Sequence, residues 1–323
     1  MGDFYIRRCD NCGGTLKWDT RTRSLVCESC KEESKPMSFN DTSDASSFSD
    51  YECPGCGAPI MMEPNSINST CPYCGNQLIL KSEISNQRAP DIVVPFFLTA
   101  EDAQKEILGH VKNQWFVPKK VKNNCSLDII KAVYAPFWLY SCKATASGIG
   151  KKVEVEFENI PGKGTAQIRN SEADLVFPYD VGRADTFSPD YLLGYQAESP
   201  SENKDKSIRR IKRKAIRSIR SKFHEYSAQC PKTTCQDEQI SYGLFPIFIY
   251  RVRLYKKTYH YVVNGQTGKV VGKLPYDFII AKTSMIYGVI VAAITIIGTT
   301  LGQAAMNPEI IDLLESICAG GMK

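Results

Sequence analysis

The sequence predicts an α+β protein: two small cysteine-held modules, an antiparallel-sheet α+β domain, and a C-terminal transmembrane helix. Three observations predict this. Four C-x-x-C pairs fall within the first 74 residues, strand-like alternation dominates 91–277, and an uncharged apolar run follows it. At 323 residues the chain has room for two or three domains. With 43% hydrophobic and 23% charged residues it is neither disordered nor collagen-like. Three histidines leave little room for histidine-rich metal catalysis or a proton relay. The first twelve residues carry Arg7, Arg8 and Asp10 and no apolar core, so no secretory signal is read there.

The cysteines come first in the chain. Cys9, Cys12, Cys27 and Cys30 form one set, and Cys53, Cys56, Cys71 and Cys74 form a second, each 44 positions after its counterpart. Within each set, 14 residues separate the two pairs. A C-x-x-C turn points two thiolates at one spot, and a hairpin between two such turns completes a tetrahedral four-sulfur site. Gly13, Gly57 and Gly75 directly follow cysteines and let the backbone turn toward the sulfurs. Residues 16–18 and 24–26 read as the two strands of the first hairpin. This resembles the zinc-ribbon family, twice over: zinc ribbon 1 at 1–35 and zinc ribbon 2 at 53–80. Two structural Zn²⁺ ions are expected. Iron of the rubredoxin type is the competitor, since Cys53-Pro54-Gly55-Cys56-Gly57 has a suitable knuckle.

Metal changes the charge account. Four thiolates and one Zn²⁺ sum to −2, so two sites move the formal net charge from +5 to +1. Residues 1–80 hold 7 basic and 11 acidic side chains, or −4, and reach −8 when metallated. Such a surface disfavours nucleic acid and favours protein contact. The acidic, serine-rich stretch 36–52 and the polar join 81–89 read as flexible connections.

In the α+β domain at 91–277, 92–98 reads as a strand, and Thr99 with Asp102 reads as a helix cap. Ala103, Ile107 and Val111 share one face of that helix. Residues 132–140 read as a strand interrupted by Pro136, and 152–158 alternate cleanly between apolar and acidic side chains. Residues 243–254 and 257–263 read as an antiparallel pair, followed by turns at Asn264-Gly265 and Thr267-Gly268 and a strand at 269–274. Between 204 and 222 there are ten basic residues and one acidic, with Ile208, Ile211, Ala215, Ile219 and Phe223 at helical spacing. Arg209, Arg210, Lys212, Arg213, Arg217 and Arg220 mark this helix as a candidate surface for membrane or partner. Its other reading is a sheet-covering helix with a solvated face.

Residues 283–308 carry no charge, long enough at about 1.5 Å per residue to cross a bilayer. A transmembrane helix is expected at 283–303 with a short tail at 304–323. Lysines precede it and acids follow it, so the expectation is a single-pass cell-membrane protein with a cytoplasmic N-terminus. Gly298 and Gly302 form a G-x-x-x-G step that would pair two such helices in a homodimer.

The order of these parts is similar to that of bacterial membrane-linked double zinc-ribbon proteins, a TFIIB-type zinc-ribbon or primosomal-helicase-like group. The resemblance rests on the two ribbons and on three further stretches. These are Ala135-Pro136-Phe137-Trp138-Leu139-Tyr140, Ser188-Pro189-Asp190-Tyr191-Leu192 and the run from Val262 to Gly272. It implies an adaptor or scaffold that recruits flotillin-like or phage-shock-like partners in membrane stress. A helicase needs a phosphate cradle, and Pro161-Gly162-Lys163-Gly164-Thr165 lacks the upstream glycine; it reads as a hairpin turn. No catalytic constellation is read, so the expectation is no enzyme. A membrane-tethered nucleic-acid-binding protein is the alternative, with the basic helix on the phosphates.

Overall fold

The computed structural model describes residues 4–37, 51–63, 65–85, 89–113, 126–148, 150–224, 231–254 and 257–272, with helical positions between Ile286 and Thr299. Chain contacts divide it into two units, 1–110 with 125–273, and 111–124 with 274–323. The first unit holds the strands and helices described below, save the last two residues of α2.

Its N-terminal part is built from short strands. β1 (Phe4–Tyr5), β2 (Leu16–Asp19), β3 (Ser24–Cys27) and β4 (Glu33–Ser34) lead into β5 (Tyr51–Glu52), β6 (Pro59–Ile60), β7 (Asn68–Thr70) and β8 (Gln77–Leu80). β2, β3 and β4 form the first ribbon, with Leu16 opposite Cys27 and Trp18 opposite Leu25. β7 and β8 form the second hairpin, and β1 adds to its edge, with Phe4 opposite Leu80. The chain thus enters by joining the second ribbon before it builds the first. Where the sequence suggested a flexible join after the second ribbon, a short helix α1 (Lys81–Ser85) forms and buries Ile84. The acidic stretch Ser38 to Asp50 lies outside the described residues.

The body is one eight-stranded mixed sheet. Its elements are β9 (Ile92–Val93), α2 (Ala100–Lys112), β10 (Ser126–Gly148), β11 (Lys151–Lys163), α3 (Asn170–Val176), β12 (Asp185–Thr186), β13 (Gln196–Ala197), α4 (Lys204–His224), β14 (Lys232–Leu254), β15 (Lys257–Asn264) and β16 (Val270–Gly272). The main path runs β11-β10-β14-β15-β16, all antiparallel, and the short β9 and β13 add parallel pairings. The expected capping box is present. Asp102 N donates to Thr99 Oγ1 at 3.2 Å and Thr99 N donates to Asp102 Oδ2 at 3.4 Å. Ala103, Ile107 and Val111 are all buried.

Pro136 does not interrupt its strand. A strand residue's N–H and C=O point to the same side, and Pro136 O accepts from Gly164 N beyond the point where β11 pairing ends. The missing donor therefore faces a ladder that has already stopped. Gly162 lies in β11, paired with Trp138, and makes no hairpin turn. A Cβ there would run into Ile211 of α4, so this glycine admits the helix to the sheet. Phe137, Phe245, Phe177 and Tyr179 form an edge-to-face aromatic cluster on the other sheet face.

The expected transmembrane helix at 283–303 needs correction. Among the described residues, no helix is long and apolar enough to cross a membrane. The single-pass topology, cell-membrane location and cytoplasmic N-terminus rested on that helix and fall with it. The physical reason lies in what the run measures. The expectation rested on absence of charge, which reports composition and not the length of apolar helix among the described residues. Gly298, Gly302 and the tail 304–323 lie outside the described residues.

Candidate metal centres

The two cysteine sets converge as the spacing predicts. Cys9, Cys12, Cys27 and Cys30 bring their sulfurs within 4.8 Å of one another, and so do Cys53, Cys56, Cys71 and Cys74. Sγ–Sγ separations are 3.6 Å for Cys9–Cys30, 3.5 Å for Cys12–Cys27, 3.5 Å for Cys53–Cys74 and 3.7 Å for Cys56–Cys71. A tetrahedron with metal–sulfur bonds of about 2.3 Å has edges of about 3.8 Å. The eight thiols therefore fit two four-sulfur metal sites.

Each knuckle is a tight turn closed by backbone hydrogen bonds. Gly13 N donates to Cys9 O at 2.8 Å, Gly57 N to Cys53 O at 2.7 Å, and Gly75 N to Cys71 O at 2.9 Å. These glycines have φ of 70°, 69° and 73°, the left-handed region that glycine enters without a Cβ penalty. The fourth knuckle places Lys31 there instead, at φ 61°. Cys9, Cys27, Cys53 and Cys71 are buried, while Cys12, Cys56 and Cys74 are exposed.

The electrostatics call for a cation. Backbone N–H groups of Cys30 and Ser29 stabilise the Cys27 thiolate and lower its pKa to about 6. Burial opposes ionisation of Cys71, but the amides of Cys74 and Tyr73 bring it down to about 7. At Cys12 the Gly14 amide favours the thiolate, yet the sulfurs of Cys30 and Cys27 outweigh it and push the value up to about 12. One negative sulfur discourages the next, and a dication relieves that repulsion.

The ribbons are seated on the body chiefly by the segment 188–199, which contains the Ser-Pro-Asp-Tyr-Leu motif. Asp190, fully buried, accepts from Tyr5 Oη at 2.7 Å and from Met37 N at 2.9 Å, holding the chain on either side of the first ribbon. Trp18 N donates to Leu193 O at 3.0 Å, Trp18 Nε1 reaches Phe96 O at 3.4 Å, and its ring lies 4.8 Å from that of Tyr191. The second ribbon docks through Asn68. Its Nδ2 donates to Leu192 O at 3.1 Å and Tyr195 O at 2.7 Å, and its Oδ1 accepts from Ala197 N at 2.8 Å. Sequence reasoning missed Asn68 and gave Asp190 no role, though the motif around Asp190 was visible.

The basic helix, α4, covers the sheet with Ile208, Ile211, Ala215, Ile219 and Phe223 buried. Its six candidate surface residues divide. Arg209, Arg213, Arg217 and Arg220 are exposed, whereas Arg210 and Lys212 are half-buried and engaged with Asn170 and Glu238. Cys142 is buried and Cys235 half-buried on neighbouring strands, and Cys125, Cys230 and Cys318 lie outside the described residues.

No family model matches the chain. It is similar to the uncharacterized protein YdjG of Bacillus subtilis (strain 168), 26% identical over 304 residues, covering 83% of this chain and 89% of that protein. No solved structure matches.

Proposed function

We propose that this chain is a zinc-ribbon scaffold: two structural Zn²⁺ ions fix its ribbons, and the assembled unit organises partner proteins without catalysis of its own. The observation that carries the reading is the pair of closed all-cysteine sites, each with sulfurs at tetrahedral-edge spacing. Four protein ligands leave no open coordination position for a substrate or an activated water, which is the pattern of structural zinc. Cys9, Cys12, Cys27 and Cys30 hold one ion, and Cys53, Cys56, Cys71 and Cys74 hold the other. The ion supplies the charge that lets four thiolates coexist; the chain's own amides and glycine turns orient the sulfurs. Seating both ribbons on 188–199 supports a rigid platform in place of two tethered knobs.

The test is metal analysis of the full chain purified without added metal. Two zinc ions per chain are expected, with Cys9→Ser and Cys53→Ser each removing about one. Iron in place of zinc, or no metal, refutes the assignment. Proteins that co-purify with the wild-type chain and are lost from both variants support the scaffold role.

A further inference from the structure

α4 sorts its charges by position. The side chains flanking its buried stripe, and Lys206 at the head of the outer line, are answered by neighbouring groups. Lys206 pairs with Glu202 at 3.8 Å, Lys212 with Glu238 of β14 at 2.5 Å, Lys214 with Asp174 of α3, and Arg210 bonds Asn170. Lys204 lies over the Trp138 ring at 5.3 Å. The outermost line is different. Arg209, Arg213 and Arg217 are exposed and have no carboxylate within ion-pair distance among the described residues, and Arg220 touches only the Thr233 hydroxyl at 3.4 Å. At about 100° and 1.5 Å per residue, these four fall within an arc of about 80° and a length of about 17 Å. Between Arg209 and Arg220 every charged residue of the crest is arginine, whose planar fork binds carboxylates in a bidentate manner.

We propose that this arginine crest is the docking line for an acidic segment of a partner protein, with carboxylates recurring every three or four residues. The proposal rests on the scaffold reading and gives its partner a chemistry. Spacing carries the choice of a helical acidic segment. Arginines at steps of four, four and three stand about one helical turn apart, matching acids at the same steps on a facing helix. The surroundings argue against a nucleic acid duplex. Helical geometry puts Lys212 with Glu238 on one side of the crest and Lys214 with Asp174 on the other, so a second strand's phosphates would lie over carboxylates. Residues 1–80, the ribbons with the acidic stretch between them, add a charge of −8 when metallated. A narrow acidic helix meets only the crest.

The experiment uses the full chain and a fluorescently labelled helical peptide of about 20 residues with glutamate at alternating steps of three and four, read by anisotropy at about 50 mM salt. The wild-type chain is expected to bind this peptide, more weakly as salt rises, and to ignore the same peptide with lysine for glutamate. A variant with Arg209→Gln, Arg213→Gln, Arg217→Gln and Arg220→Gln should lose roughly ten-fold or more in affinity, as four exposed ion pairs imply. A charge-matched control, Lys204→Gln, Arg210→Gln, Lys212→Gln and Lys214→Gln, should lose much less. Equal loss in the two variants, no loss in the crest variant, no binding by the wild type, or tighter binding of a DNA duplex than of the peptide each overturns the proposal. Zinc content, measured on every sample, separates this outcome from the scaffold reading: a chain that holds two zinc ions and ignores the peptide refutes the crest alone.

Discussion

Replacing Asn68 with alanine tests whether the second ribbon is locked to the body. Asn68 is buried and makes three hydrogen bonds to the backbone of 192–197. Removing its amide does not affect the three partners equally. Leu192 O keeps a bond from Tyr195 N at 3.1 Å. Tyr195 O and Ala197 N lose the side-chain bonds that satisfy them. Leaving a buried polar group unmatched costs about 1–3 kcal/mol, so two such groups cost about 2–6 kcal/mol. A water entering the vacated space would recover part of this, which places the expectation at about 2–4 kcal/mol. The assay is urea unfolding followed by circular dichroism, read as a midpoint shift at unchanged slope. Metal content should stay at two per chain, because the second ribbon supplies all four of its own sulfurs. A loss under about 1 kcal/mol would mean that Asn68 is solvated and the ribbon undocked, and the reasoning would fail.

Four further outcomes are expected. Glu198 is buried, and burial raises its carboxyl above the ordinary value of 4.5 although Thr165 donates to it. The folded state therefore holds the proton more tightly than the unfolded state, and this stability is lost as pH rises from 4.5 through the raised value. Glu198→Gln should gain on the wild type from pH 4 to pH 7 in thermal melts; a flat or reversed difference contradicts the assignment. Gly162→Ala drives a methyl into Ile211, buried beneath α4, and should lower stability by about 1–3 kcal/mol, with a normal melting temperature as the contrary result. Trp18→Ala removes an indole packed on Tyr191 and should cost about 3–5 kcal/mol by urea titration; a cost near zero means the first ribbon is not seated there. Chelating both metals under reducing conditions should speed hydrogen exchange at Leu193 N as well as within the ribbons, whereas exchange confined to the ribbons contradicts their coupling to the body.

What the sequence revealed follows from the range of each interaction. The cysteine knuckles are local: sulfur spacing and the following glycine are set within four residues, so both tetrads were legible. The Thr99–Asp102 cap and the alternation from Val153 to Phe157 are local in the same way. So was the buried stripe of α4, since helical periodicity displays it directly. The seats of the ribbons were not legible. Asn68 meets its partners 124 to 129 positions away and Tyr5 meets Asp190 185 positions away, and nothing in an isolated Asn or Asp announces such a bond. Pro136 misled because its effect depends on where a neighbouring strand stops. The apolar run after 283 misled because absence of charge reports composition and not the length of helix, and among the described residues none is long and apolar enough to span.

The seating of the ribbons would extend the effect of any metal bound to them. A ribbon of some 25–30 residues has too little apolar area to fold alone, and these two bury only a handful of large side chains, among them Leu16, Trp18, Leu25, Ile60 and Leu78. Structural zinc in such peptides contributes on the order of 10–16 kcal/mol. In a tethered knob that free energy would stay local. Here Asp190, Trp18 and Asn68 join the ribbon backbones to one buried segment, and that segment pairs with β10 through Val133 and Tyr134. The aromatic contacts of Phe96 with Tyr134, Tyr195 and Phe248 continue the same path into the sheet. A metal held by the sulfurs would therefore also hold 188–199 against the body. β10, in turn, carries α4 and its arginine crest on its other contacts.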